Sequence, residues 1–192
     1  GSAPANSFQP ATTGHAPFMS LLIGPLRADS AIAAVTGRVL EKCSETLKSE
    51  VGMNELTQLL EQWQEEARSL RERYALESGA RMMRAKASSL LLVDPKTRKL
   101  NFRVATGAKK DEVKQFSLRL GEGIAGSVAQ KGEPLLIGDV SRDKRWYRQI
   151  SDQIGFKTYS IACVPLKVGD KVIGVVEFIN KEGGGSFQES DL

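Results

Sequence analysis

The feature that most constrains the fold is a change in hydrophobic period near Arg84. Before this point apolar residues recur at spacings of three and four, and after it they alternate or form short blocks. The first pattern places apolar side chains on one face of a helix, and the second is typical of half-buried strands. The sequence therefore predicts long helices followed by a sheet, which is an α+β architecture.

The helical part divides into two amphipathic segments. Asp29 or Ser30 can cap the first helix, and Gly52 suits the left-handed residue that ends it. Asn54 can cap the second, whose apolar seam has heptad spacing. This seam packs against its own domain or against a second copy of the helix, and both alternatives stay open. Its members are Leu56, Leu60, Trp63, Ala67, Leu70 and Tyr74.

Six segments after Arg84 have the composition of strands. Most of the connections between them are too short for a helical crossover, so we expect a mostly antiparallel sheet flanked by helices. Gly169-Asp170 predicts a two-residue hairpin of type II′, because its glycine comes first. The predicted strands are 87–93, 100–106, 115–120, 134–140, 160–167 and 171–180.

The charge balance argues against nucleic acid as a partner. Lys and Arg number 27 against 23 Asp and Glu, and the formal net charge is +4. Residues 1–52 are balanced, so the excess lies in 53–192, where it is dispersed. A nucleic-acid site would need clustered cations with stacking aromatics. No run of eighteen apolar residues is present, so we expect no membrane contact in this segment.

Histidine and cysteine are too sparse for the usual catalytic or metal sites. Cys43 and Cys163 have no CxxC or metal-ligand spacing, and His15 lies in a Pro-rich stretch. We therefore expect no enzyme, no metal and no cofactor. Free cysteines without a secretory segment predict a cytoplasmic protein.

The segment 121–126 reads GEGIAG, a literal GxGxxG. The helix after it must end before Gly132 and Pro134, which leaves about two turns, too few for the crossover of a dinucleotide-binding fold. Glycines still let backbone amides approach a ligand, and a helix N-terminus favours an anionic group. The alternative is a tight turn that binds nothing.

Several blocks occur in the order and spacing of a GAF domain: 87–94, 121–129, 134–140, 155–158, 163–166 and 172–181. Over 53–192 the chain resembles that family, and most closely the cyclic-nucleotide-binding GAF domains of phosphodiesterases and cyanobacterial adenylyl cyclases. Their Asn-Lys, Phe and Asp-Glu signature matches Asn180, Lys181, Phe187 and Asp191, with Leu192 in place of the final Glu.

The resemblance implies a ligand pocket over one face of the sheet. It places Ser89 and Glu177 against the ligand, the backbone of Ile124 and Ala125 against a cyclic phosphate, and Thr158 on a helix facing the ligand. The alternative for the hydroxyl groups is an ordinary structural role, in which they bond to backbone groups.

Three residues depart from the guanine-binding pattern. Ala105-Thr106 stands where such members have Phe-Asp, and Ile154 replaces a ligand-facing Thr. An Asp accepts hydrogen bonds from guanine N–H groups, so its absence favours adenine or no nucleotide.

The segment 141–148 is rich in cations and resembles a lid. We expect Asp139, Arg142 and Trp146 to belong to the ligand site, with Arg142 or Arg145 meeting a phosphate. The alternative is a solvated helix face with Trp146 packed inward.

A pocket-closing ion pair is implied by the same resemblance. Lys181 and Asp191 could pair across the connection after the last strand. An exposed pair stabilises by less than about 1 kcal/mol, so its main effect would be on geometry.

We expect a tag scar and flexible linker at 1–28, a signalling and dimerisation helix at 29–52, and a GAF domain with an incomplete last helix at 53–192. The expected function is a sensor domain of a bacterial signal-transduction protein. It would bind a cyclic nucleotide, cAMP over cGMP, and act through a helical homodimer on an output domain of the same polypeptide.

Two alternatives remain. One is a ligand-free GAF dimerisation or interaction module. The other is a free methionine sulfoxide reductase-type enzyme, which is disfavoured because that branch needs cysteines in pocket loops, whereas Cys163 falls within an apolar strand.

Overall fold

The computed structural model describes residues 37, 38, 41 and 53–192. Residues 37, 38 and 41 are helical. The expected linker at 1–28 and almost all of the expected first helix at 29–52 lie outside the described residues.

Residues 53–192 contain three α-helices and six strands, together with four short 3₁₀ helices. The helices are α1 (Met53–Met83), α2 (Gly123–Lys131) and α3 (Arg148–Ile154). The strands are β1 (Ala85–Val93), β2 (Lys99–Ala105), β3 (Ser117–Arg119), β4 (Leu135–Ile137), β5 (Ile161–Val168) and β6 (Lys171–Lys181).

The strands form one sheet in the order β3-β2-β1-β6-β5-β4, and every neighbouring pair is antiparallel. The predicted six-stranded antiparallel sheet with flanking helices is therefore confirmed. The absence of a parallel pair in this sheet also agrees with rejecting a dinucleotide-binding fold for 121–126.

The local sequence explains the two tight hairpins. The Asp94 side chain accepts hydrogen bonds from the backbone N–H of Lys96 at 2.7 Å and of Thr97 at 3.1 Å, which fixes the turn between β1 and β2. Between β5 and β6, Val168 pairs with Lys171 and Gly169 has φ +57°. The predicted two-residue hairpin with glycine at its first position is present.

Strands β3 and β4 are shorter than the sequence predicted. A 3₁₀ turn at Glu112–Gln115 replaces the start of the expected strand 115–120, and a second begins at Val140. Pro134 has no N–H to donate, so β4 begins only at Leu135. Both short strands lie at the edges of the sheet, where pairing is available on one side only.

Alternation along the strands sends neighbouring side chains to opposite faces of the sheet. One face, which we call the helix face, packs Leu90, Val104, Ala162, Val176 and Phe178 against Leu76, Ala80 and Met83 of α1. The other, the cavity face, packs Leu91, Ile161, Cys163 and Val175 against Ile124, Ala125, Val128 and Ala129 of α2.

The heptad seam of α1 is only partly buried. Ala67 is buried and Trp63 and Leu70 are half-buried, whereas Leu60 and Tyr74 are 41% and 38% exposed. Toward its C-terminal end the helix packs on the sheet through Ala75, Leu76, Ala80 and Met83 instead. The seam is therefore not the stripe that attaches α1 to its own sheet.

A polar clamp joins α1 to the sheet beside this core. The register of β1 and β2 shifts between Leu90 and Leu91, which leaves Arg103 without a partner on β1. The Arg103 guanidinium reaches α1 instead, where Nε lies 2.8 Å from Glu72 Oε2 and a second nitrogen pairs with Glu65. Among the described residues, no helix combines the length and apolar character needed to cross a bilayer.

Candidate functional site

A cavity of about 100 Å³ lies on the cavity face, between the sheet and the covering α2 and α3. Most of its wall is apolar, with side chains such as Phe102, Leu118, Ile150 and Phe156. A small number of polar groups interrupt this wall, which is the usual composition of a small-molecule site.

Nine residues predicted to touch ligand lie on this wall. They come from β1, β2 and the residue after it, α2, α3, β6 and the segments flanking α3, so the fold brings together positions far apart in the sequence. These residues are Ser89, Ala105, Thr106, Ile124, Ala125, Trp146, Ile154, Thr158 and Glu177.

Asp139 and Arg142 do not lie on the cavity wall. Asp139 is exposed, and its carboxylate accepts hydrogen bonds from the Ser141 N–H at 3.0 Å and the Ser141 hydroxyl at 2.6 Å. The Arg142 side chain is 87% exposed and pairs with Asp139 at 3.1 Å. This local pairing directs both charges to the surface of the segment predicted to form a lid.

Glu177 is the buried carboxyl of the site. It lies on β6 opposite Ser89 of β1 and Cys163 of β5, and the Ser89 hydroxyl donates to its Oε2 at 3.1 Å. Burial raises its pKa from 4.5 to about 7, and the hydrogen bond from Ser89 opposes this rise. Glu177 therefore keeps its proton to a higher pH than an exposed glutamate does.

Cys163 is buried beside Glu177, and its thiol is poorly reactive. Burial raises the pKa of its thiol, and the negative charge of Glu177 raises it further. Since the thiolate is the reactive form, this position is poorly suited to nucleophilic or redox chemistry.

The hydroxyl groups of Thr106 and Thr158 already have protein partners. Thr106 Oγ1 accepts from the Ser88 N–H at 3.0 Å and lies 2.7 Å from Ser88 Oγ. Thr158 Oγ1 lies 3.1 Å from Ser151 Oγ. Both side chains line the cavity, but the Thr106 hydroxyl is bonded to β1 as the structural alternative expects.

The glycine-rich turn presents the beginning of α2 to the cavity. Gly123, Ile124 and Ala125 lie on the wall, and the first N–H groups of a helix have no partner within it. Gly121 N–H donates to Gly126 O at 2.8 Å, and a Cβ at Gly126 would lie 2.4 Å from Arg119 O. This close packing explains the last glycine of the motif without a ligand.

Asn180 is a positioning residue to which the sequence analysis gave no role. It has φ +59°, and its side-chain oxygen accepts from the N–H of Tyr159 at 2.6 Å and of Ser160 at 3.3 Å. Its amide donates to Lys157 O at 2.7 Å. Asn180 thereby fixes the segment that carries Thr158. The sequence feature that could have identified this role is its place in the Asn-Lys signature.

Lys181 and Asp191 form the ion pair that the resemblance implied. Asp191 also accepts from the Gln188 N–H at 2.7 Å, and these contacts, led by that with Lys181, lower its pKa. Neither residue lies on the cavity wall, and Phe187 between them packs in the helix-face core. The pair therefore fixes the chain that follows β6.

Comparison with known proteins decides the family. The family model for the GAF domain matches residues 72–192. The chain belongs to the GAF family. This confirms the resemblance drawn from the sequence blocks, and GAF domains are typically regulatory ligand-binding domains.

Two curated relatives are phosphodiesterases. The chain is 42% identical over 85 residues to the dual 3′,5′-cyclic-AMP and -GMP phosphodiesterase 11 of Drosophila melanogaster, a match covering 43% of this chain and 6% of the relative. It is 32% identical over 113 residues to the probable 3′,5′-cyclic phosphodiesterase pde-5 of Caenorhabditis elegans, covering 54% and 16%. The GAF chain thus spans only a small part of these proteins.

Solved structures support the fold alone. The GAF domain of an Acinetobacter phosphoenolpyruvate-protein phosphotransferase matches with a TM-score of 0.51 and 20% identity over 85% of each chain. Within the described residues of this GAF chain, no group of three His, Cys, Asp or Glu side chains is placed to hold a metal ion.

Proposed function

We propose that the cavity binds a cyclic nucleotide, cAMP in preference to cGMP, and that the domain thereby regulates an output domain on the same polypeptide. The observation that carries this proposal is Glu177, a carboxyl buried in an apolar cavity and held by Ser89. Burial of such a group is unfavourable for folding alone, and a ligand that donates to it would compensate.

The polar groups of the wall suit different parts of a nucleotide. The open N–H groups at the start of α2 favour the cyclic phosphate. Glu177 accepts a hydrogen bond from a hydroxyl or amino group of the ligand. These groups border one cavity, so one ligand can contact both.

The preference for adenine rests on what the wall lacks. Ala105 has no polar side-chain atom, and the Thr106 hydroxyl is already bonded to Ser88. Neither residue can accept from the N–H groups of guanine as a free carboxylate would. The N–H groups of guanine consequently lose hydrogen bonds to water that the cavity does not replace, and we expect cGMP to bind more weakly than cAMP.

Binding requires the cavity to enlarge. Its volume of about 100 Å³ is below the ~150 Å³ of a cavity that holds benzene, which is smaller than a nucleotide. We propose that the wall that moves is α3 with its flanks, because Tyr147 and Ser151 border the cavity and α3 is the shorter of the two helices that cover it. We propose that ordering of this wall shifts α1 and so transmits the signal.

Titration calorimetry with cAMP and cGMP tests the proposal. We expect saturable binding of cAMP with at least tenfold lower affinity for cGMP, and weaker cAMP binding in Glu177→Gln. Glu133→Gln, a change at an exposed residue off the wall, is the matched control and should bind as the unmodified chain does. Absence of heat and of any thermal shift with millimolar cAMP or cGMP would contradict the proposal.

A second candidate is a dimerisation module without a ligand, and the exposed Leu60 and Tyr74 on α1 favour it. A homodimer through the helices is compatible with both functions. Light scattering tests it, because Leu60→Glu should convert a dimer into a monomer, and a monomer at high concentration in the unmodified chain would contradict it. Bacterial origin and cytoplasmic location stay predictions of the sequence.

A further inference from the structure

The chain that leads to Lys109 passes so close to β1 that only glycine fits at position 107. Gly107 has φ +92°, and a Cβ there would lie 2.8 Å from Ala87 Cβ and 3.1 Å from Lys86 O. After this close approach the chain turns, and the Val113 N–H donates to Lys109 O at 3.3 Å. The turn places both Lys109 and Val113 on the wall.

Lys109 is the one Lys or Arg side chain on the described wall, and Glu177 is the one Asp or Glu. The arginines of the neighbouring segment are held elsewhere by their own carboxylates. Arg145 pairs with Asp143 at 2.6 Å and Arg148 with Asp152 at 3.2 Å, and neither arginine lines the cavity. Positive charge is therefore available to a bound ligand from Lys109.

The ion pair that Lys109 makes with protein is weak. Its ammonium lies 3.2 Å from Glu112, and the two side chains are 39% and 44% exposed. Exposed pairs of this kind stabilise the folded chain little and exchange readily for another anion. An anionic ligand entering the cavity would meet less water and hence a stronger attraction.

We propose that Lys109 is a specificity-determining residue that selects the anionic group of the ligand. This inference rests on the proposed function and adds to it a residue and a requirement for negative charge. The start of α2 on the same wall favours the same sign of charge, so two separate segments converge on one ligand class.

The test compares cAMP with adenosine, which carries the same base and no phosphate. Titration calorimetry is run on the unmodified chain, Lys109→Met and Lys110→Met. Lys110→Met is the control, because it removes the same charge from the same turn at a residue that is exposed and off the wall. We expect Lys109→Met to bind cAMP at least tenfold more weakly and adenosine within twofold of the unmodified chain. Lys110→Met should bind both within twofold.

Further variants keep the result decisive. Lys109→Arg should restore cAMP binding to within threefold, and Glu112→Gln, which frees Lys109, should tighten it about twofold. The inference fails if Lys109→Met binds cAMP normally or loses adenosine equally. If Lys109→Met does not fold, unchanged cAMP binding in Glu112→Gln overturns it. If the unmodified chain binds no cyclic nucleotide, the proposed function fails and the inference with it.

Discussion

The helix face of the sheet is filled by side chains, whereas the cavity face leaves about 100 Å³ between the sheet and its covering helices. Both faces use the same six strands, and adjacent residues such as Val175 and Val176 serve opposite sides. The difference therefore comes from what covers each face. One long helix supplies continuous apolar contact, whereas α2, α3 and their loops cover the other face in pieces.

The two faces of the sheet also differ in how their charged groups are placed. At the helix face, the charges of Arg103, Glu65 and Glu72 lie at the margin and are paired. At the cavity face, Glu177 is buried and accepts a hydrogen bond from the Ser89 hydroxyl. The helix face thus contributes stability, while the cavity face buries a carboxyl group at a cost in stability.

The largest expected effect comes from truncating one leucine on each face. Leu76→Ala leaves a void in the closed core of the helix face, so the free energy of unfolding should fall by about 4 kcal/mol. Leu118→Ala removes a side chain that borders an existing cavity and is therefore not enclosed by protein on every side, so a smaller loss of about 2 kcal/mol is expected. Urea denaturation of both variants gives the values. Equal losses would mean that the faces are packed alike.

The second prediction uses the pH dependence of stability. The folded chain holds the proton of Glu177 with a pKa of about 7, against 4.5 without burial. The free energy of unfolding should therefore fall as pH rises from about 4.5 to about 7, by about 3 kcal/mol for this group. Glu177→Gln should remove that loss and be the more stable protein at pH 8.

Denaturant titrations between pH 4 and 8 measure this slope. Glu133→Gln is the control, because it makes the same substitution at an exposed site and should keep the slope of the unmodified chain. A slope that survives in Glu177→Gln would show that the buried carboxyl does not cause it.

The fold was predictable because each strand carries its own signal. Alternation of apolar residues, and Gly169 at the first position of its turn, give the strands and the hairpin without knowledge of distant residues. Most of the wall residues were predicted from the resemblance to a family, because the family pattern already shows which sequence positions contact one ligand. Neither source requires atomic contacts.

Side-chain partners were less predictable. The placement of Asp139 and Arg142 off the wall follows from contacts within 139–142, which the cation-rich composition of the predicted lid did not reveal. The contacts of Arg103 depend on a register shift between β1 and β2, and the position of Lys109 on the wall depends on the close approach of Gly107 to β1. Both are three-dimensional arrangements that hydrophobic periodicity does not encode.

The third prediction concerns the clamp at the helix face. Arg103→Met leaves the largely covered Glu72 with Arg68 alone, and the free energy of unfolding should fall by about 1–2 kcal/mol. Arg119→Met on the neighbouring strand changes an exposed side chain and should alter stability by less than about 0.5 kcal/mol. Thermal unfolding of the two variants provides the comparison. Equal shifts would show that the clamp contributes nothing.

The smallest effect is expected at the ion pair after β6. Asp191→Asn keeps an oxygen to accept from Gln188 but loses the charge that pairs with Lys181, so about 1 kcal/mol or less should be lost. The paired Lys181 holds the pKa of Asp191 below its usual 3.8. Its contribution is therefore present above about pH 4 and disappears as pH falls, the opposite direction from Glu177.

Stability measured from pH 6 down to pH 2 tests this sign. Asp191→Asn should converge with the unmodified chain at the acid end, whereas Glu189→Gln in the same turn should run parallel to it throughout. Because Phe187 of this segment packs in the helix-face core, loss of the pair should loosen that face and leave the proposed cAMP binding at the cavity face within twofold. A larger fall in affinity would mean that the two faces are coupled through β6.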